Sequence, residues 1–251
     1  MISGRSLLKK YWEEARNRTS IFFFAPACPI CETPLLWRDE WFLCRDCRER
    51  MRRKEGHHCR FCGKFMAGET TVCGECAIAR PPFLCHRSFA AYEDPMKRAI
   101  HSYKYRAIEP LKRILAAYLM ELVAHEIDRK IDAVTAIPPD PGRHRPFHPT
   151  IELARTLAKK TAIPFRPDLL RKAVSTPPQV SLNRKDRREG LKMAFVVPAT
   201  ASVKGKTILL IDDVYTTGTT MKVCAAALSR KGGRVIGLTL AQSTWGEDES
   251  D

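Results

Sequence analysis

Apolar and polar positions along this chain follow two periods. Between residues 108 and 129, Leu111, Ile114, Leu115, Tyr118, Leu119, Leu122, Val123 and Ile127 recur at intervals of three and four. That spacing predicts a helix with one buried stripe. Residues 131–137 then read as a strand ending at Pro138-Pro139, and 150–160 as a second helix with Ile151, Leu153, Ala154, Leu157 and Ala158 on one side. Short strands are predicted over 87–92 and 193–197. The clearest element is the run Thr207, Ile208, Leu209, Leu210, Ile211. A continuous β-branched and leucine run is what a strand buried on both faces of a parallel sheet requires. It stops at Asp212-Asp213, loops through Val214 to Thr219, and enters a helix reaching about Arg230. Lys231-Gly232-Gly233 ends that helix, and 234–240 is another apolar strand. Strand, loop, helix and strand make a βαβ unit, so the predicted fold class is α/β, a mostly parallel sheet flanked by helices.

The first 80 residues follow neither period. They hold eight of the ten cysteines, as four Cys-x-x-Cys pairs: Cys28/Cys31, Cys44/Cys47, Cys59/Cys62 and Cys73/Cys76. Two thiolates from one tight turn occupy adjacent corners of a tetrahedron, and two such knuckles close a zinc site with bonds of ~2.3 Å. Gly63 and Gly74 each follow a candidate ligand directly. Two structural Zn²⁺ ions are therefore expected. Sequential pairing, 28/31 with 44/47 and 59/62 with 73/76, needs only local loop closure. An interleaved pairing, 28/31 with 59/62, is the alternative. A disulfide framework does not suit a chain read as cytoplasmic, and a redox role would need one pair rather than four. Cys224 lies among Val223, Ala225 and Ala226 and reads as a small buried apolar residue. The Arg80-Pro81-Pro82-Phe83 stretch reads as a linker. The expected organisation is an N-terminal helix or tail over 1–24, a double zinc-ribbon module over 25–80, an α/β domain over 81–246 and an acidic tail over 247–251.

Charge adds a further expectation. Lys and Arg total 43 against 28 Asp and Glu, a formal +15. Eight thiolates and two zinc ions lower this to about +11. Residues 143–206 hold 15 Lys/Arg and four Asp/Glu, a local field that attracts phosphates or a polyanion. Within it, Ser175-Thr-Pro-Pro-Gln179 breaks regular structure, so Arg171, Lys172, Arg184, Lys185, Arg187 and Arg188 are expected on a loop able to follow a phosphate backbone. The ribbons add Arg45, Arg48, Arg50, Arg52, Arg53, Lys54 and Arg60, interleaved with Trp37, Trp41, Phe42, Phe61 and Phe65. Basic residues with aromatic stacking partners suit single-stranded nucleic acid. The same aromatics can also serve as the miniature cores of the ribbons. No apolar run approaches the ~20 residues of a membrane helix, and Lys9, Lys10, Glu13, Glu14, Arg16 and Arg18 occupy the place of a secretory apolar core. A cytoplasmic protein without a membrane span is expected.

Candidate chemistry sits at the end of the 207–211 strand. Ligands of open α/β sheets bind at the carboxyl ends of the strands. Asp212 and Asp213 stand there, followed by Thr216, Thr217, Gly218, Thr219 and Thr220 at a helix start. Adjacent carboxylates can accept hydrogen bonds from vicinal ribose hydroxyls or hold Mg²⁺. A helix N-terminus favours phosphate, and Gly218 permits positive φ or close approach.

This stretch resembles the phosphoribosyl diphosphate (PRPP) motif of type I phosphoribosyltransferases. The resemblance implies that Asp212 and Asp213 bind the ribose hydroxyls and that Thr216, Thr217, Gly218, Thr219 and Thr220 wrap the 5′-phosphate, with Mg²⁺ accompanying PRPP. Three features together resemble the ComF family of bacterial competence proteins: the cysteine knuckles, the His101-Ser-Tyr-Lys-Tyr105 segment and this motif. Arg145-Pro-Phe-His-Pro-Thr-Ile-Glu-Leu-Ala154 resembles the family's Arg-Gly-Phe-Asn-Gln segment. Gln179-Val-Ser-Leu182, with Arg187 and Ala194-Phe195, resembles its Gln-x-x-Leu…Arg…Ala-Phe segment. Pro146, His148 and Pro149 stand where the family usually has Gly, Asn and Gln. The resemblance spans about residues 25–241. It implies an accessory protein of DNA uptake that handles single-stranded DNA beside a helicase-like ATPase and binds PRPP or another ribose 5-phosphate ligand. An active phosphoribosyltransferase and a non-catalytic PRPP or nucleotide sensor are the alternatives. The residues identify no catalytic base. Lys104, Arg106, Arg143 and Arg145 are candidates for pyrophosphate, although basic surface residues read the same way.

Overall fold

The computed structural model describes residues 27–35, 43–53, 56–66, 68–106, 108–141, 147–173 and 194–243. The chain separates into two compact units, Met1–Met51 and Arg52–Asp251. The boundary falls between the two pairs of cysteine knuckles, upstream of the paired prolines that the sequence marks as a linker.

In the first unit, the turn from Cys28 closes on itself through Cys28 N–H to Thr33 O and Glu32 N–H to Cys28 O. The second knuckle caps a six-residue helix, α1 (Arg45–Arg50), whose capping residue is Cys44. The second unit opens with the same pattern. Cys59 N–H donates to Lys64 O, Gly63 N–H donates to Cys59 O, and Cys73 caps the short helix α2 (Gly74–Ile78).

The α/β part follows as β1 (Cys85–Ala91), α3 (Met96–Arg106), α4 (Glu109–Glu126), β2 (Ala133–Ala136), α5 (Pro149–Thr161), β3 (Arg171–Lys172), β4 (Phe195–Val196), β5 (Thr207–Ile211), β6 (Val214–Tyr215), α6 (Thr219–Arg230) and β7 (Arg234–Gln242). The main sheet runs β1-β7-β5-β2 with every pairing parallel, and the short β6 adds onto β7. All five residues of β5 are buried, as its unbroken apolar run requires. β3 and β4 form a separate antiparallel pair.

The predicted strands and helices of this part are present with small shifts at their ends. Two elements had no clear apolar signature. α3 buries Met96, Ala99, Ile100, Ser102 and Tyr103 while remaining polar on average. β6 lies inside the segment read as a loop.

The second cysteine cluster shares a continuous core with the sheet. Cys59, Phe61, Cys62, Cys73 and Cys76 join Phe83, Tyr215, Met221, Leu228 and Val235. The Pro81-Pro82 stretch packs down rather than linking: Phe83 is buried, and the Ser229 hydroxyl donates to Pro82 O at 2.9 Å. No helix among the described residues is long and apolar enough to cross a membrane.

Candidate functional site

Backbone geometry sets the acidic pair at the edge of the core. Asp212 N–H donates to Leu238 O at 3.0 Å, and Leu240 N–H donates to Asp213 O at 3.0 Å. Both aspartates are thereby fixed where β5 ends beside β7. Asp213 N–H also donates to Asp212 Oδ1 at 2.9 Å. Burial, then the neighbouring charge of Asp213, push the Asp212 carboxyl up to about 8. Ligand-free Asp212 is therefore largely protonated at neutral pH. Asp213 meets a cation: Lys104 Nζ lies 2.8 Å from its Oδ2, and the Thr150 hydroxyl donates to the same oxygen at 3.4 Å.

The Tyr-Lys-Tyr segment explains how Lys104 arrives there. Tyr103 is buried, donates its hydroxyl to Pro149 O at 3.0 Å, and meets the Phe147 ring edge-on at 5.4 Å. It thus pins α3 to the start of α5, and the next residue is turned toward the acidic pair. The sequence offered Lys104 only as one of several basic candidates. Arg106 is exposed at the end of α3.

The loop after the aspartates is shaped by Gly218, which caps α6 with φ +69°. An added Cβ there would fall on the Tyr215 phenol ring. The Thr217 and Thr219 hydroxyls lie 2.8 Å apart, and Lys222 Nζ donates to Thr217 O at 3.4 Å. Thr216 and Thr217 are exposed, while Thr219 and Thr220 are half-buried. The first N–H groups of a helix have no intrahelical acceptor; at α6 the Thr219 N–H donates to Thr217 Oγ1 at 3.4 Å. Carboxylates on one side and hydroxyls with a helix N-terminus on the other suit a sugar phosphate.

Sequence reasoning missed the support behind this loop. Tyr215 stacks on His86 with ring centroids 4.1 Å apart. His86 is fully buried, and burial pushes its imidazole down to about 3, so the ring is neutral. Its Nδ1 lies 2.9 Å from Cys62 O and its Nε2 3.0 Å from Thr239 Oγ1. Gly63 brings the second knuckle this close: its φ is +70°, and a Cβ would sit 2.7 Å from His86 O. The signal was a lone histidine just before the predicted 87–92 strand, where a buried polar side chain demands partners.

The eight knuckle cysteines assemble into two groups, Cys28, Cys31, Cys44, Cys47 and Cys59, Cys62, Cys73, Cys76, with all sulfurs of a group within 4.8 Å of one another. Pairing is sequential. A tetrahedron with ~2.3 Å metal–sulfur bonds has edges of ~3.8 Å, and the Cys31–Cys44 and Cys62–Cys73 sulfurs are 3.5 and 3.7 Å apart. Cys47 N–H and Cys73 N–H point at the sulfurs of Cys44 and Cys59, each at 3.4 Å. Such donors suit thiolate ligands, so both groups fit a structural Zn²⁺.

Of the basic residues expected to contact nucleic acid, Arg171 is exposed on β3. Lys172 is instead held by Asp140 Oδ2 at 2.6 Å, its side chain only 10% exposed. Arg184, Lys185, Arg187 and Arg188 lie outside the described residues.

A double zinc ribbon domain family matches residues 20–77, and a phosphoribosyl transferase domain family matches residues 151–243. DNA utilization protein YhgH of Salmonella typhimurium is 26% identical over 215 residues, 83% of this chain and 93% of that protein. Competence protein F of Haemophilus influenzae is 26% identical over 198 residues, 76% of this chain and 85% of that protein. Competence protein ComFC of Streptococcus pneumoniae is 27% identical over 204 residues, 80% and 88% of the two chains. This chain belongs to the ComF family. Among solved structures, adenine phosphoribosyltransferase of Leishmania tarentolae is similar at 14% identity and a TM-score of 0.40, covering 57% of this chain and 74% of that one. The family matches give the α/β part of this chain the type I phosphoribosyltransferase fold, preceded by the double zinc ribbon.

The raised carboxyl carries a sign that can be checked. Because Asp212 is raised to about 8 in the fold from an ordinary 3.8, its contribution to stability is complete below about pH 4. It is lost progressively as pH rises toward 8. Asp212→Asn removes the ionisation while keeping the shape. The variant should gain stability over the parent as pH rises from 5 to 8.5, by about 1 kcal/mol or more, read from urea unfolding midpoints. A pH-independent difference between the two proteins would contradict this assignment.

Proposed function

We propose that this chain binds PRPP, or another ligand carrying a ribose 5-phosphate, with Mg²⁺ at the β5–α6 loop, and binds single-stranded DNA through its basic residues. In this reading it is a cytoplasmic accessory protein of natural transformation, handling incoming DNA beside a helicase-like ATPase. The observation that carries the ligand assignment is the buried β5 strand delivering Asp212 and Asp213 to one wall of a loop whose other wall is the Gly218-capped start of α6. Asp212 and Asp213 accept from the ribose hydroxyls, and Thr216, Thr217, Gly218, Thr219 and Thr220 enclose the 5′-phosphate. The transformation role is supported by the relatives named for competence and DNA utilization.

Lys104 against Asp213 favours a second reading, an active phosphoribosyltransferase, because it sets a cation beside the expected ribose. Pyrophosphate release with a panel of bases and amines separates the two. Turnover supports the enzyme. Tight PRPP binding without turnover supports an accessory or sensing role.

The DNA half of the proposal is tested by salt. Each phosphate neutralised on a single strand adds about −0.7 to the log–log slope of affinity against salt. With Lys172 held by Asp140, five contacts from Arg171, Arg184, Lys185, Arg187 and Arg188 give about −3.5. Replacing Arg184, Lys185, Arg187 and Arg188 together should flatten the slope to about −0.7 and leave PRPP binding intact. If instead the quadruple variant loses PRPP affinity and keeps its DNA slope, these cations serve the phosphoribosyl site.

A further inference from the structure

A cavity in the Arg52–Asp251 unit is lined by none of the residues of the acidic pair or the loop that follows it. Its volume is about 250 Å³, and it is lined by the second ribbon (Gly63, Lys64, Phe65), by β1 (Arg87, Ser88), by the end of α4 (Leu122, Glu126) and by Gln242. This is just below the ~300–1,000 Å³ of drug-sized ligand pockets, room for one nucleoside rather than two.

Four features of its wall restrict the occupant. Phe65 is 46% exposed although large and apolar, and its ring edge comes so near Gly56 that a Cβ added there would lie 2.6 Å from it. An exposed ring is a platform for a flat π system. Glu126 is only 14% exposed, with one oxygen paired to Arg53 and the other 3.1 Å from Arg87 Nε and 3.8 Å from His58 Nε2. A carboxylate offers about four lone-pair positions, so these contacts leave capacity for a further donor such as an exocyclic amine. The remaining charges are cationic: Arg53 and Arg87, with Lys64, whose partner Glu75 is 3.4 Å away on the surface. An exposed ion pair of this kind yields readily to a phosphate. The polar edge is completed by Ser88, whose hydroxyl donates to Gln242 Oε1 at 3.2 Å.

We propose that this cavity holds one nucleotide of a single DNA strand, its amino-bearing base stacked on Phe65 with the amine at Glu126 and its phosphates at Lys64 and Arg53. The inference rests on the reading that the chain binds single-stranded DNA, and it assigns a base site distinct from the phosphoribosyl loop. The two sites share a strand: Tyr215 of the loop pairs with Gln242, and Ser243 N–H donates to Tyr215 O at 2.9 Å. Cytosine, adenine and guanine carry an exocyclic amine; thymine does not.

The test uses the full zinc-loaded chain. A dC oligonucleotide carrying one 5-iodocytosine should crosslink to Phe65 on irradiation, as mapped by mass spectrometry. Phe65→Ala should weaken binding of the unmodified oligonucleotide about tenfold, Phe65→Trp should restore it, and PRPP affinity should not change. Glu126→Gln should remove a preference for dC over dT oligonucleotides, with zinc content reporting that the variant is folded. Free dCMP should compete at least tenfold more weakly than the oligonucleotide. If the parent binds DNA with the expected salt slope while Phe65→Ala binds equally well and the crosslink maps elsewhere, the base site falls and the DNA reading stands. If the parent binds no oligonucleotide, both fall. If dCMP binds at Phe65 as tightly as the oligonucleotide does, the occupant is a free nucleotide and the assignment to DNA is overturned.

Discussion

Gly218→Val is expected to abolish PRPP and ribose 5-phosphate binding, with at least a hundredfold rise in Kd by calorimetry, while both zinc ions are retained. Two effects combine at this position. Valine is strained at φ +69°, since left-handed backbone costs an ordinary residue roughly 1–2 kcal/mol and a β-branched one is a genuine outlier there. Its Cβ would also coincide with the Tyr215 ring. Tyr215 has little freedom to retreat. It is buried, it stacks on His86, and the His86 ring is held at both nitrogens by Cys62 O and Thr239. The loop must therefore move instead, which carries the start of α6 away from the ligand. Gly218→Ala meets the same ring with one carbon and should be intermediate. Gly74→Ala, where an added Cβ meets nothing within 4 Å, should match the parent. A Gly218→Val protein that binds PRPP as the parent does would remove the phosphate from this loop.

The contrast between what was legible in the sequence and what was not has a physical basis. β5 and α6 could be read because local rules decide them: a run buried on both faces has one pattern, and a Thr/Gly loop at a helix start has another. Zinc knuckles were readable because ligand spacing is itself local, and sequential pairing followed from short loop closure. α3 escaped notice because its burial is uneven. Ser102 and Tyr103 face inward although the helix is polar on average, and only the Tyr103–Pro149 hydrogen bond shows why. The role of Lys104 depends on that long-range contact.

The paired prolines misled for a related reason. Pro81 and Pro82 exclude helix and central strand, which was read correctly. Whether such a segment is loose or packed depends on its partners, here Ser229 and the Phe83 pocket in the common core. Nothing near residue 80 announces them. The double zinc ribbon match spans residues 20–77, yet the chain divides into compact units at Met51, so the second ribbon lies in the same unit as the α/β part and shares its core.

That division into units predicts that the two zinc clusters have different consequences when broken. Structural zinc in small ribbons contributes about 10–16 kcal/mol of binding free energy that is also folding free energy, so either loss is severe for its own ribbon. Cys44→Ser should release one zinc and unfold the first ribbon. Its cluster lies in the Met1–Met51 unit, so PRPP affinity should stay within about twofold of the parent. Cys62→Ser should also release one zinc, but its damage should travel. Cys62 O holds the His86 ring and accepts from the Gln242 amide at 3.4 Å, and His86 N–H donates to Phe61 O at 2.6 Å. Loss of that knuckle leaves Nδ1 of a buried imidazole unpaired while Nε2 keeps Thr239, at about 1–3 kcal/mol, and weakens the backing of Tyr215. Hydrogen exchange at Tyr215–Gly218 should accelerate, and PRPP affinity should fall at least tenfold, with β2 and β5 still protected. Equal PRPP affinities for Cys44→Ser and Cys62→Ser, each with one zinc remaining, would show that the second ribbon does not support the loop.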